Sequence, residues 1–176
     1  MTESKPISKN KRNKMTKDTI PEGFSLTLAL VDLVPVIFFG LSAVRVGNLF
    51  HSGIFMFGAA VCMVSGLIKV LWKVIAAMSQ KNIWPMFIQM RIFMPIGFLL
   101  MILALFVDRN NLNASAAIAG ILSFPSNMLF ALGFLGMAMM FMFAFRMDSS
   151  DPKVNWLEQI TNSVSQILIF VGLMLI

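Results

Sequence analysis

The chain has 176 residues, 58% of them hydrophobic and only 12% charged, with a mean hydropathy of +0.83, which excludes a soluble globular domain and sets the class as an integral membrane protein. The formal net charge of +6 does not indicate nucleic acid, because most of the basic surplus lies in the N-terminal tail and beside the ends of apolar runs, where it orients a membrane protein and meets anionic headgroups. Cys62 is the single cysteine and His51 the single histidine, so a disulfide framework, a CxxC motif and a zinc set are excluded, and neither metal nor cofactor is expected.

Residues 1–22 read as a basic cytoplasmic tail ahead of a single transmembrane helical domain over 23–176. The tail sets Lys5, Lys9, Lys11, Arg12, Lys14 and Lys17 against Glu3, Asp18 and Glu22. The apolar stretch behind it is about twenty residues, too long for the core of a secretory signal, so the tail is expected to be retained. The first span is predicted over 24–44. It holds Asp32 about eight residues in, roughly 12 Å along the axis and inside the hydrocarbon. Pro35 removes an amide donor and loosens the carbonyl of Val31, a common way of building a polar pocket into a span. An intramembrane acid is by default a functional candidate; the alternative is an ion-paired packing residue.

The second span is predicted over 54–78, after a loop from Arg45 to Ser52. Lys69 and Lys73 are one turn apart on one face. Lys73, beside Trp72, reads first as an interfacial anchor with its ammonium reaching the headgroups, and second as part of a cationic pocket for a phosphate, a carboxylate or a lipid headgroup. The third span, 86–107, carries Gln89 and Arg91 in its first two turns and Pro95, which bends it. Asp108, Arg109, Asn110, Asn111 and Asn113 form a polar loop.

From Ala114 to Phe145 the chain is apolar for longer than one span requires, and Ser123-Phe124-Pro125-Ser126-Asn127 interrupts it. Two arrangements fit: one long helix kinked at Pro125, or a short half-helix over 114–124 followed by a fourth span over 126–145. Gly133 and Gly136 offer a smooth packing patch. Met137, Met139, Met140 and Met142 are spread around that helix and read as gap fillers, not as a copper site. An inner loop ends in Asp151-Pro152, a helix-start pattern for a last span over 154–176.

That last span carries Asn155, Glu158, Gln159, Asn162, Ser165 and Gln166 at spacings that put them within roughly a third of the helix circumference. Such a row cannot face lipid, because each unpartnered polar group in hydrocarbon costs several kcal/mol. The other helices are therefore expected to receive it. With the tail inside, Lys69, Lys73, Lys81, Arg91, Arg146 and Lys153 join the tail's bases on the inner side and leave only Arg45 and Arg109 outside. This asymmetry predicts an all-α bundle of five spans, N-terminus inside and C-terminus outside.

The expected site is an inner-facing polar cavity formed by Asp32, Lys69, Lys73, Arg91, Glu158, Asn162 and Gln166. No nucleophile and base pair, metal-binding helix motif or phosphate loop is present, so no catalytic residue is assigned and an enzyme is disfavoured. The leading expectation is a small multispan protein that binds or transports a small polar or anionic solute, in a cell membrane taken to be a bacterial plasma membrane, as a homo-oligomer or with a partner membrane subunit. The alternative is a structural or regulatory subunit whose polar last helix docks a partner, and an interfacial lipid-modifying enzyme comes third.

Overall fold

The long apolar runs fold as helices in the computed structural model, which describes residues 25–111, 114–147 and 152–176. The expected tail over 1–22 and the expected cap Asp151 lie outside these residues. In chain order the helices are α1 (Leu26–Phe50), α2 (Gly53–Ser79), α3 (Trp84–Ile88), α4 (Met90–Val107), α5 (Ala114–Leu122), α6 (Ser126–Arg146) and α7 (Pro152–Met174), with a 3₁₀ turn at Arg109–Asn111; no strand occurs among the described residues. Among the described residues three stretches of helix are long and apolar enough to cross a membrane, namely Leu26–Phe50, Gly53–Ser79 and Trp84–Val107 (α3 with α4), and a bent pair, α5 with α6, brings the number to four if it is taken as one span.

Local chemistry explains where these helices start and stop. Ser25 and Ser52 each accept a hydrogen bond from the amide three residues on, Leu28 at 3.2 Å and Phe55 at 3.1 Å, so both long N-termini are capped. α1 and α2 end at His51 (φ 47°) and Gln80 (φ 54°), in the left-handed conformation common just past a helix C-terminus. The first helix runs six residues beyond the predicted end at Val44, so Arg45 is helical and not in a loop. Arg45 is tolerated there because its Nε donates to the carbonyl of Leu173 at 3.5 Å, at the negative end of the α7 dipole. The hairpin between α1 and α2 is reduced to His51 and Ser52, and the Ser52 hydroxyl donates to the Asp108 carboxylate, tying this turn to the end of α4.

Of the two arrangements open for residues 114–145, a single kinked helix is not what forms. α5 and α6 are separate helices meeting at 84° across Ser123 to Pro125. A bend of that size is far beyond an ordinary proline kink, and the chain turns through it with the Ser123 amide on the Gly120 carbonyl at 3.2 Å and the Asn127 amide on the Ser123 carbonyl at 2.9 Å. α5 is exposed along most of its length.

The helices pack in a row, in the order α4, α2, α1, α7, α6, with α5 against α6. The contacts also set the directions. α1 and α7 are parallel, because Asp32 is near Glu158 while Arg45 meets Leu173. α2 runs opposite to α1 and α4 opposite to α2, as the pairs Phe50 with Phe55, Ser65 with Gln89, and Ser52 with Asp108 require. α6 runs opposite to α7, with Phe130 over Gly172 and Met137 beside Gln166.

The row curls. On α2 the residues that meet α4 (Gly58, Cys62, Ser65) and those that meet α1 (Met56, Met63, Gly66) are about a third of a turn apart, and on α7 the same separation divides Phe170 and Leu173, which meet α1, from Ser165, Ile169 and Gly172, which meet α6. On the inside of the curl Phe39 of α1 reaches Phe98 of α4, with ring centroids 6.2 Å apart, above a core of Ala43, Phe55, Ala59, Cys62, Met101 and Ala104. The outside is an exposed apolar surface, including Leu30, Ile37 and Leu41 on α1, Phe57, Val64 and Leu71 on α2, and Leu157, Ile160 and Val164 on α7. A continuous apolar surface of that extent suits lipid.

Small residues let the helices approach. A Cβ on Gly58 would sit 2.7 Å from the carbonyl oxygen of Gly97 and 3.0 Å from the amide of Met101, both backbone atoms that cannot step aside. Gly58→Ala should therefore lower stability by about 1–3 kcal/mol through overpacking of α2 on α4. Gly53→Ala, at a position with nothing within 4 Å, should leave stability unchanged or slightly raised. Thermal unfolding of the two variants in one detergent checks the pair, and equal effects would refute this account of the interface.

Candidate functional site

Three helices bring charge to one place on the inside of the curl. Asp32 of α1 is buried, 3% exposed, and its Oδ2 lies 2.7 Å from Lys73 Nζ and 3.8 Å from Lys69 Nζ of α2. Lys73 is also buried, at 5%, whereas the Lys69 side chain keeps 28% of its surface. Glu158 of α7, half-buried, is close enough to act electrostatically on Asp32, Lys69 and Lys73.

The local sequence explains why these groups meet. Lys69 and Lys73, one turn apart on α2, both reach the same carboxylate. Pro35, buried one turn after Asp32 inside α1, leaves the Val31 carbonyl without its helical donor and makes this turn polar. Parallel packing of α1 and α7 then sets Glu158 level with Asp32. The expectation that Lys73 reaches outward as an anchor is not met: its ammonium turns inward, because a buried carboxylate at 2.7 Å offers a stronger partner than a headgroup region. Trp72 is likewise no interfacial residue; it is 1% exposed, with its indole N–H donating to Asn82 Oδ1 at 3.0 Å and its ring 5.0 Å from Phe87.

Asn162 and Gln166 continue the Glu158 face of α7 at one-turn steps. Both are half-buried, and Gln166 Nε2 lies 3.6 Å from Met137 Sδ of α6. The contacts to α1 and α6 leave α7 two free faces: the apolar one of Leu157, Ile160 and Val164 on the outside, and that of Glu158 and Asn162 on the inside. The polar row of the last helix thus turns away from the lipid-facing side.

Arg91 stands apart. It is exposed on α4, its guanidinium 5.3 Å from the Phe87 ring centroid, and it is not among the charges acting on Asp32 or Glu158. Its neighbour Gln89 is consumed structurally: the Ser65 hydroxyl donates to its Oε1 at 3.0 Å, while its Nε2 donates to the carbonyls of Ser65 at 3.0 Å and Met86 at 3.3 Å. The structure therefore brings together Asp32, Lys69, Lys73 and Glu158, extends them with Asn162 and Gln166, and leaves out Arg91.

Sequence reasoning passed over Ser163, which with Asn155 and Gln159 forms a second, fully buried polar line on α7. The Gln159 Oε1 and Ser163 Oγ atoms are buried without a hydrogen-bond partner. Their spacing of four was the available signal. An apolar hollow of about 340 Å³ lies on the outer side of α2 and α4, lined by Phe57, Val61, Val64, Ile68 and Phe93, and holds none of these charges. Among the described residues no cluster of His, Cys, Asp and Glu could hold a metal ion. Compared with known proteins, the chain matches no family model, no curated protein and no solved structure.

The buried pair makes an asymmetric double-mutant cycle. Lys73→Met alone leaves Asp32 with only the more distant Lys69 and should cost about 3 kcal/mol, whereas adding Asp32→Leu should recover most of that loss, since an apolar pair often replaces a buried ion pair at little net cost. Unfolding free energies of wild type, both single variants and the double variant check this. A double variant as unstable as the sum of the singles would mean that the two groups are not coupled.

Proposed function

We propose that this is a membrane protein of five crossings, with its N-terminus inside and its C-terminus outside the plasma membrane, that binds a small polar solute in the cleft above the Asp32–Lys73 pair as a step in its transport. One observation carries the reading. Lys69, Glu158, Asn162 and Gln166 are half-open on the inside of the curl, over a buried ion pair, in helices whose outer faces are apolar along most of their length. Polar groups kept at that depth are costly unless something uses them. The alternation of helix directions along α1, α2, α4, α6 and α7 supports five crossings, and the basic residues gathered at one end of them support the orientation.

A second reading has its own support. α4 and α6 end the row, each buries only one face, and the four charges neutralise one another without a ligand. On that reading the open side of the curl docks a partner subunit or a second copy of the chain.

Native mass spectrometry of gently purified protein, with thermal stability of wild type, Glu158→Gln and Lys81→Gln, separates the two. We expect a small molecule to be retained, to stabilise wild type and Lys81→Gln by mass action, and to lose that effect in Glu158→Gln. If nothing small is retained while a second protein or a defined oligomer survives and Glu158→Gln weakens it, the cleft is an interface and the transport reading falls.

A further inference from the structure

We propose that the cleft is built for a zwitterion, specifically a free α-amino acid with a polar side chain, whose carboxylate meets Lys69 and whose ammonium meets Glu158. This rests on the solute-binding reading above and narrows it.

The charge arrangement disfavours a simple ion. Lys69 and Lys73 are matched by Asp32 and Glu158, so the cleft has no net charge with which to hold an ion of one sign. An anion approaching Lys69 would also meet the two carboxylates, and a cation approaching Glu158 would meet the two ammonium groups. A ligand that carries both signs satisfies both ends.

Distance decides which groups remain for it. Asp32 and Lys73 are buried and joined at 2.7 Å, whereas Lys69 is held only at 3.8 Å and keeps 28% of its side-chain surface. Glu158 makes no ion pair within 4 Å among the described residues and is half-buried. One incompletely engaged cation on α2 thus lies across α1 from one incompletely engaged anion on α7.

The walls favour a free solute. From Glu158 the inner face of α7 continues through Asn162 to Gln166, about 12 Å of helix, with amides that both donate and accept. A lipid headgroup with ammonium and phosphate shares the charge pattern, but its acyl chains would have to lie along those amides. A polar side chain fits them.

The test uses the full chain in nanodiscs of phosphatidylglycerol, which contain no zwitterionic lipid. Glutamine, asparagine, serine and threonine are each titrated against thermal stability, followed by the N-acetyl and methyl ester forms of the best of them, which lack the ammonium and the carboxylate charge respectively. At least one amino acid should raise the melting temperature by about 5 °C at 100-fold above its Kd. Each blocked form should bind at least tenfold more weakly. Lys69→Gln should shrink the difference between the amino acid and its methyl ester, and Glu158→Gln the difference between it and its N-acetyl form. The comparison of blocked forms on wild type stands even if a variant does not fold. An N-acetyl form as effective as the parent overturns the zwitterion while leaving a polar-solute site, and stabilisation only on adding phosphatidylethanolamine to the nanodisc assigns the cleft to a headgroup instead. If no probe and no lipid shifts stability, the amino-acid assignment falls, while the solute-binding reading is decided separately by the native mass spectrometry.

Discussion

The ion pair between Asp32 and Lys73 is the constraint on which the rest of this structure depends. Two charges removed from water are tolerable only when each has the other within contact distance, and here the separation is 2.7 Å with both groups nearly inaccessible. Because the partners come from different helices, the pair fixes the axial register of α1 against α2. Lys69, one turn away, can then approach the same carboxylate only at 3.8 Å. Glu158 enters from α7 at the same level, so the register of α7 on α1 follows from the same centre of charge.

Away from that centre, packing is governed by small residues and by the two sides of a curled row. Gly58 and Gly97 bring α2 and α4 into backbone contact, and Gly133 and Gly136 do the same for α6 on α7, where they face Ser165 and Ile169. In lipid no hydrophobic force drives helix onto helix, so close backbone approach and dispersion are what hold such contacts. The curl gives each central helix an inner and an outer face. Polar residues gather on the inner one, since only there can neighbouring helices or enclosed solvent meet their hydrogen-bonding needs.

At the end where α1 passes into α2, the helix termini and loops take over the same task. Arg45 supplies a cation to the C-terminal carbonyls of α7, and the Ser52 hydroxyl, while capping α2, also donates to Asp108 at the end of α4. These contacts place the ends of α1, α2, α4 and α7 together and leave the charged cluster toward the other end of the helices. The charged cluster and the structural closure are thus separated along the axis of one bundle.

The sequence by itself determined what hydrophobicity and helical period determine: an all-helical, membrane-type chain, the run of polar residues on one side of its last helix, the break near Pro125, and the candidacy of Asp32, Lys69, Lys73 and Glu158 as costly groups that must find company. Period places residues on a face and says nothing of which helix that face meets. Only the tertiary structure decided that Lys73 turns inward to Asp32 instead of outward to headgroups, that Arg45 belongs to a helix, and that residues 114–145 form two helices at 84°. It alone separated Arg91 from the cluster, although Arg91 looks equivalent to Lys69 in composition and in distance from the span end. The physical reason is the same in each case: the energy of a charge inside a low-dielectric layer is set by its nearest partner in space, and partners on other helices are invisible to local sequence.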